Sequence, residues 1–354
     1  MKVLALNSSP RIKGQSKTEI MLSALVTGME DAGAQVEVIH LRTKNIRNCV
    51  GCYTCWTKTP GRCIHRDDMT EELLGKFIGS DIAVFATPLY HFTMNAVMKA
   101  FIERTLPVLE PFLRQRGDAT YHPLRTRHPA VVVLSVAGFP EMSVFDQLSR
   151  HMRFMYQKGL IAEVYRPAAE AMVLGPYAKV REDILSATRD AGGEIVKSMQ
   201  VSPRTLERIT QPIGDKTVLA RAANLFWRSC IRERMTPEEM RSKGVAPRPE
   251  TIDDFMLVMK LAFRPEKASG IERTVRFEFT GEQTGTCTFR ITENGIEDST
   301  GIDTDADLVI SSPFETWMDI VTDKADGQAL FMEGAYRARG DLDLLERIGG
   351  LFGR

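Results

Sequence analysis

Short apolar runs and longer amphipathic segments alternate along the first half of the chain. The apolar runs, rich in β-branched residues, lie at 3–6, 36–39, 82–86, 130–136 and 160–164. Runs of this length are typical of strands buried on both faces, and intervening helices make the strands parallel. The pattern predicts an α/β domain with a doubly wound five-stranded parallel sheet in the order 2-1-3-4-5. Such sheets bind ligands beyond the carboxyl ends of their strands, which indicates the loops after strands one, three and four.

The loop after the first strand combines hydroxyls, positive charges and the start of a helix. Residues Val3–Leu6 run into Asn7-Ser8-Ser9-Pro10-Arg11, and a helical pattern follows from Glu19. Backbone N–H groups and the dipole at a helix start attract a phosphate. The spacing matches neither the glycine-rich dinucleotide motif nor the P-loop, so a solvated turn that binds nothing is the alternative. The candidate phosphate ligands are Ser9, Arg11, Gln15, Ser16, Lys17 and Thr18.

The loops after the third and fourth strands have residues suited to a flat ring. Pro88 stiffens the first of these loops, and Tyr90 and Phe92 offer flat surfaces. In the second, Gly138 lets the backbone approach a ligand closely. The other interpretation is that the aromatic side chains only cover the end of the sheet. The candidate ring-binding residues are Thr87, Pro88, Leu89, Tyr90, His91, Phe92, Ala137 and Gly138.

These loops together resemble a known flavin site. Ser8-Ser9-Pro10-Arg11, followed by Gly14 and Ser16, and the run Thr87-Pro88-Leu89-Tyr90 are similar to motifs of the NAD(P)H-dependent FMN reductase and iron-sulfur flavoprotein families. The resemblance implies a flavodoxin-like fold, FMN held by the phosphate loop and NAD(P)H as electron donor. In relatives the segment matching 106–128 helps to form a dimer and the roof of the cleft. The resemblance therefore also implies a homo-oligomer.

Four of the six cysteines lie within fifteen residues, in the spacing Cys49-x2-Cys52-x2-Cys55-x7-Cys63. Three thiols at intervals of three residues on a turn can converge on one object. Zinc usually draws its thiolates from two separated pairs, so the spacing favours an iron-sulfur cluster over zinc. The resemblance to iron-sulfur flavoproteins implies a 4Fe-4S cluster near the FMN. A reduced dithiol or a metal-free loop is an equally open alternative.

The second half of the chain begins with a helical pattern at 178–199, 203–209 and 218–234, followed by a proline-rich linker at 245–250. Arginines on the third helical segment are interpreted as a solvated face. The isolated Cys230 falls in this segment and, like Cys287 further along, is expected to be buried as a small apolar side chain.

A new module begins at Thr251. Strict alternation at 275–279 and 286–291, with glycines between, predicts an antiparallel hairpin. The stretch at 307–311, together with the run from Gly340, resembles the sterol-carrier-protein domain, a small α+β fold around an apolar tunnel. This implies a lipid-like ligand, and a structural or dimerising module without a tunnel is the alternative. The predicted domains are an FMN-binding domain over 1–170, a helical connector over 171–250 and a sterol-carrier-like domain over 251–354.

Composition and charge narrow the possible partners and location. The chain has 354 residues with 46 basic and 46 acidic side chains, a balance that favours neither nucleic acid nor a membrane surface. No apolar run approaches the roughly 18 residues of a membrane span, and the start lacks the pattern of a signal peptide. We therefore expect a cytoplasmic protein with reduced thiols.

The leading hypothesis is an FMN oxidoreductase that passes reducing equivalents from NAD(P)H to a small or apolar acceptor such as a quinone, with a possible 4Fe-4S cluster. His91 and Tyr90 are candidate proton donors, but the sequence assigns no catalytic residue. The alternative is a lipid-binding or apolar-ligand-binding protein with a flavodoxin-like scaffold. A combined hypothesis has the acidic C-terminal domain present an apolar substrate to the flavin.

Overall fold

The structure, a computed structural model, describes residues 1–12, 14–301 and 305–352. The contacts between residues divide the chain into two compact units. The first contains residues 1–172 and 179–213, and the second contains residues 173–178 and 214–354. The division into three domains stays a prediction, and residues 302–304 and 353–354 of the third predicted domain lie outside the described part.

The first unit alternates strands and helices, as the pattern of apolar runs predicts. Its elements are β1 (Lys2–Asn7), α1 (Lys17–Asp31), β2 (Gln35–His40), α2 (Leu74–Gly79), β3 (Ile82–Pro88), α3 (Ala96–Glu103), β4 (Arg114–Arg116), β5 (Ala119–Tyr121), β6 (Ala130–Val136), α4 (Asp146–Tyr156), β7 (Leu160–Arg166), α5 (Ala178–Ser198) and α6 (Pro203–Thr210).

The five long strands form one parallel sheet in the order β2-β1-β3-β6-β7. Counted within this sheet the order is 2-1-3-4-5, which confirms the predicted doubly wound fold. The central strand β3 is buried along its whole length because helices cover both faces. Leu6 and Phe85 share an apolar core with Phe77 of α2, Phe101 of α3 and Leu148 of α4. Helix α1 contacts β2, β3 and β6 outside that core and so covers the other face.

The segment 106–128, the predicted roof of the cleft, contains the short antiparallel hairpin β4–β5. The sequence pattern does not predict this hairpin, because its strands are three residues long and fully exposed, without apolar alternation. Backbone hydrogen bonds join the two ends of the segment: the Glu110 N–H donates to the Pro123 carbonyl at 2.8 Å, and the Arg125 N–H donates to the Val108 carbonyl at 2.7 Å.

The second unit contains a mixed sheet and several helices. Its elements are α7 (Lys216–Glu233), α8 (Pro237–Ser242), α9 (Ile252–Ala262), β8 (Glu272–Thr280), β9 (Gly285–Thr292), β10 (Gly295–Thr300), β11 (Leu308–Pro313), α10 (Phe314–Val321), α11 (Gly327–Met332), β12 (Arg337–Gly340) and α12 (Leu342–Leu351). The strand order is β10-β9-β8-β11-β12. The predicted hairpin is confirmed as β8–β9, with Val275 opposite Phe289.

The length and polarity of a helix decide whether it could span a membrane. Within residues 1–12, 14–301 and 305–352, every helix is too short or too polar to cross a bilayer.

Candidate functional site

The predicted phosphate loop joins β1 to the amino end of α1. The Ser9 and Ser16 hydroxyls are hydrogen-bonded at 2.8 Å, and Ser16 caps α1 by accepting the Glu19 N–H at 3.1 Å. The Asn7 side chain accepts the Ser9 N–H at 2.9 Å, which holds the turn closed. Thr18 is buried in the first turn of the helix. The structure thus brings three hydroxyl side chains to the positive end of α1.

In the described part of this loop two cations, Arg11 and Lys17, contact the same carboxylate. Lys17 is only 7% exposed, and its ammonium group donates to the backbone carbonyl of Gln15 at 3.3 Å. The Glu170 carboxylate accepts from Arg11 Nη1 at 2.6 Å and lies 3.2 Å from Lys17 Nζ. No sequence motif reveals Glu170, because it is separated from Arg11 by 159 residues.

The loop after β3 is tied to the phosphate loop through Asn95, the N-cap of α3. Its side-chain amide donates to the Ser8 carbonyl at 2.6 Å, and its backbone N–H donates to the Thr87 hydroxyl at 3.2 Å. The Leu89 N–H donates to the carbonyl of Val136 at the end of β6 at 3.0 Å. Thr87 and Pro88 are buried at the end of β3. Because these bonds join the ends of β1, β3 and β6, the three predicted loops form one region.

The residues after Leu89 form an exposed turn. Tyr90 and Thr93 exchange backbone hydrogen bonds at 2.9 and 3.0 Å. His91 and Phe92 have φ angles of 47° and 64°, in the left-handed region that residues other than glycine seldom adopt. Such strain is a common feature of ligand-binding turns. The side chains of Tyr90 and Phe92 are about half exposed, so neither is packed beneath the turn as a core residue.

The loop after β6 lies beside this turn. The Ala137 N–H donates to the Arg166 carbonyl at 3.0 Å, which fixes the start of the loop on β7. Next to Gly138, the ring of Phe139 is more than half exposed and its centroid lies 6.0 Å from that of Phe92. The two loops therefore present a pair of neighbouring, solvent-accessible aromatic rings.

The donor set of this region fits FMN. Hydroxyls, a helix start and two cations are the groups that bind a phosphate. Exposed aromatic rings next to the exposed backbone of Gly138 suit a flat heteroaromatic ring. The phosphate ligands would be Ser9, Arg11, Gln15, Ser16, Lys17 and Thr18. The ring would be bordered by Thr87, Pro88, Leu89, Tyr90, His91, Phe92, Ala137 and Gly138.

All four clustered cysteines, Cys49, Cys52, Cys55 and Cys63, line one small pocket. Cys55 is buried and burial raises the pKa of its thiol, whereas Cys52 is exposed and hydrogen bonding by Thr54 lowers the pKa of its thiol. Among the described residues, no group of three or more His, Cys, Asp and Glu side chains is close enough to hold a single metal ion. Four thiolates are the ligand set of a 4Fe-4S cluster, and the pocket has all four in its lining.

A buried ion pair supports the cysteine pocket, whose lining includes Arg104. The Arg104 guanidinium donates to both carboxylate oxygens of Asp67, at 2.6 and 2.9 Å, and to the Arg47 carbonyl at 2.6 Å. Both side chains are essentially inaccessible to solvent. Because residues 47 and 67 flank the cysteines, this pair fixes both ends of the loop that carries them.

In the second unit, aromatic side chains fill much of the core beneath the sheet. The Trp317 ring lies 5.2 Å from that of Phe277 and 5.3 Å from that of Tyr336, between ring centroids. The indole Nε1 of Trp317 is buried and has no hydrogen-bond partner in the part of the chain that the structure describes. A buried donor without a partner is costly to the fold.

Comparison with known families confirms both resemblances seen in the sequence. Residues 1–161 match the family of NADPH-dependent FMN reductases, and residues 258–353 match the SCP-2 sterol transfer family. The two matched regions fall within the first and the second half of the chain, as predicted.

Each of the individual relatives matches only part of this chain. An iron-sulfur flavoprotein of Archaeoglobus fulgidus is 40% identical over 107 residues, which are 30% of this chain and 46% of that protein. The FMN-dependent NAD(P)H:quinone oxidoreductase 1 of Pseudomonas aeruginosa is 33% identical over 72 residues, 20% of this chain and 34% of that protein. The solved NAD(P)H:quinone oxidoreductase of Methanothermobacter marburgensis is 20% identical with a TM-score of 0.42, covering 55% of this chain and 96% of that one. The chain spans about half the length of the iron-sulfur flavoproteins that it matches.

Proposed function

Since residues 1–161 match the NADPH-dependent FMN reductase family, we propose that the chain is an FMN-dependent oxidoreductase. Its overall reaction would transfer reducing equivalents from NAD(P)H to a small or apolar acceptor. The observation that supports this best is the meeting of three loops in one region: a phosphate-type donor set at α1 and the neighbouring rings of Phe92 and Phe139.

FMN, when bound, supplies the hydride chemistry, which no side chain can provide. The protein's part is to bind and orient. Ser9, Ser16 and the first turn of α1 would hold the phosphate, and Arg11 and Lys17 would balance its charge. Asn95 keeps the ring-bordering turn joined to the phosphate loop. His91 lies exposed in that turn and would be a candidate proton donor to the acceptor.

For the electron donor and the acceptor we propose classes of molecule. The sequence has no second nucleotide-binding motif, so NAD(P)H would use the same exposed side of the aromatic pair as the acceptor, in alternation. The Pseudomonas aeruginosa relative is named as a quinone oxidoreductase, and a quinone is flat and apolar enough for this surface. We propose a cytoplasmic homo-oligomer, with the segment 106–128 as the roof of the cleft.

We also propose that the pocket of Cys49, Cys52, Cys55 and Cys63 holds a 4Fe-4S cluster. The support is that all four thiols line the same pocket and that several relatives are named iron-sulfur flavoproteins. When bound, the cluster would supply a one-electron redox centre held by these four thiolates.

The first experiment is a visible spectrum of the full chain, purified without oxygen and reconstituted with FMN, together with iron and sulfide analysis. We expect flavin bands and about four iron and four sulfide atoms per chain. The variant Cys55→Ser should lose most of its iron and keep FMN, because the phosphate loop is unchanged. The control Cys230→Ala removes a buried thiol outside the pocket and should keep both.

Three outcomes of this experiment would contradict one or the other proposal. A chain without flavin after reconstitution contradicts the oxidoreductase proposal. A chain with flavin and no iron contradicts the cluster and leaves the dithiol or metal-free loop, and zinc in place of iron would indicate a site that rearranges around one ion.

A second candidate function is binding of an apolar ligand by the C-terminal region. The match of residues 258–353 to the SCP-2 family and the unpaired Nε1 of Trp317 favour it. Such a ligand would be a lipid or the apolar acceptor itself.

A polyene fatty acid titrated into the full chain tests this candidate, with the increase in the polyene's own fluorescence on binding as the signal. We expect saturable binding that the variant Trp317→Phe weakens about fivefold, because it removes one hydrogen bond worth about 1 kcal/mol. The control Trp227→Phe changes a half-exposed indole and should leave the affinity unchanged. Absence of saturable binding would support a purely structural module.

A further inference from the structure

Glu170 lies on a segment that is hydrogen-bonded to the loop after β6. Directly after β7, the Ala168 N–H donates to the Phe139 carbonyl at 2.7 Å, and the Ala169 N–H donates to the Ala137 carbonyl at 2.8 Å. Ala168 has a φ of 47°, so the backbone accepts an unfavourable conformation at this turn. These constraints place the next residue, Glu170, beside both the loop after β6 and the phosphate loop.

The Glu170 side chain reaches three parts of the candidate site. Its carboxylate contacts Arg11 at 2.6 Å and Lys17 at 3.2 Å. Its Cγ lies 4.0 Å from the point where a Cβ on Gly138 would be. Burial acts to raise the pKa of Glu170, but the hydrogen bond from Arg11 and the charge of Lys17 outweigh it and lower that pKa. The group is therefore anionic at neutral pH.

The Glu170 carboxylate and a bound phosphate would both interact with Arg11 and Lys17. Arg11 and Lys17 provide two positive charges, and Glu170 removes one of them. A phosphate ester carries nearly two negative charges at pH 7. Because Lys17 is almost wholly buried, water screens its interaction with a neighbouring anion poorly, and competition between the two anions is strong.

We propose that Glu170 is an affinity-determining residue of the phosphate loop, an internal anion that competes with the flavin phosphate for Arg11 and Lys17. The inference rests on the proposed FMN function and adds to it a limit on affinity. FMN binds less tightly than the donor set alone would allow, and the preference for FMN over riboflavin, which lacks the phosphate, is reduced.

The test compares the full-length wild type with Glu170→Gln and Glu170→Asp in titrations with FMN and riboflavin, followed by flavin fluorescence. Glu170→Gln removes the charge and should bind FMN about five- to tenfold more tightly, as expected for a partly buried ion pair. Its riboflavin affinity should not change. Its FMN affinity should fall more steeply with added salt, because the loop carries one more net positive charge. Glu170→Asp keeps the charge and should resemble the wild type.

The matched control is Glu37→Gln. Glu37 is as exposed as Glu170 and is also paired with a lysine, Lys76, but it lies on β2 rather than at the phosphate loop. Its removal should leave FMN affinity and salt dependence unchanged. Unchanged or weaker FMN binding by Glu170→Gln would overturn the inference, and the carboxylate would then serve to position the two cations.

Inorganic phosphate, titrated as a second probe by its competition with FMN or by calorimetry, separates this inference from the proposed function. If the wild type binds no flavin and Glu170→Gln still binds phosphate more tightly than the wild type, the function is contradicted and the inference is supported. If the wild type binds FMN and Glu170→Gln gains affinity for neither FMN nor phosphate, the function stands and the inference is contradicted.

Discussion

The double variant Arg11→Ala/Ser16→Ala should bind FMN about a thousandfold more weakly than the wild type, since each substitution removes a charge-assisted hydrogen bond worth about 1.5–3 kcal/mol. Ser16 also holds the Ser9 hydroxyl at 2.8 Å, so its loss disorders a second phosphate donor. Equilibrium dialysis with FMN and with riboflavin measures the effect. Only FMN should be affected, because riboflavin has no phosphate.

The control for this experiment is Ser202→Ala. Ser202 caps α6 as Ser16 caps α1, by accepting the N–H of the residue three positions later. Both substitutions should lower the free energy of unfolding by about 1 kcal/mol through the lost cap. Only the Arg11 and Ser16 substitutions should change FMN affinity. Equal loss of FMN and riboflavin in the double variant would show that the phosphate does not bind at α1.

The variant Asp67→Asn should lower the free energy of unfolding by about 3–5 kcal/mol, because it leaves the buried Arg104 guanidinium without its counter-charge. Asp67 also accepts the Arg47 N–H at 2.9 Å and the Thr70 N–H at 3.1 Å, so the ends of the cysteine loop separate as well. Urea denaturation followed by circular dichroism measures the change. Iron content should fall together with stability if the loop holds the cluster.

The same pair predicts a dependence of stability on pH. Burial acts to raise the pKa of Asp67, but hydrogen bonds from Arg104 and from the Arg47 and Thr70 backbone outweigh it and hold the pKa well below its usual range. The stabilisation is therefore complete above the unfolded pKa of about 3.9 and is lost as the pH falls further, through the lower folded pKa. The stability difference between wild type and Asp67→Asn should be constant above about pH 5 and shrink under more acidic conditions.

An exposed pair of the same chemistry gives the control. Asp31 and Arg189 also meet at 2.6 Å, but both side chains are about half exposed. Asp31→Asn should cost less than about 1 kcal/mol at any pH, because water screens the pair. A cost at Asp67 no larger than at Asp31 would show that the cysteine loop does not depend on the buried ion pair.

The sequence was sufficient for the sheet and for the local parts of the site. Strands buried on both faces need continuous apolar runs, and the run at 82–86 indicates β3 without any knowledge of its neighbours. Ser9 and Ser16 meet because they belong to one strand–loop–helix connection, where local geometry limits their separation. The hairpin β8–β9 is likewise a local feature, set by alternation and glycines.

Only the tertiary structure decided which distant charges and rings meet. Glu170 joins Arg11 across 159 residues, and Asp67 joins Arg104 across 37. Phe92 approaches Phe139 because β3 and β6 are neighbours in the sheet and their loops leave the same edge. Charge and aromaticity carry no periodicity that reveals a partner, so such contacts are defined once strand order and register bring particular loop ends together. The sequence by itself thus determined the fold and the kind of ligand expected, whereas the packed chain determined the competing carboxylate and the ion pair that supports the cysteine loop.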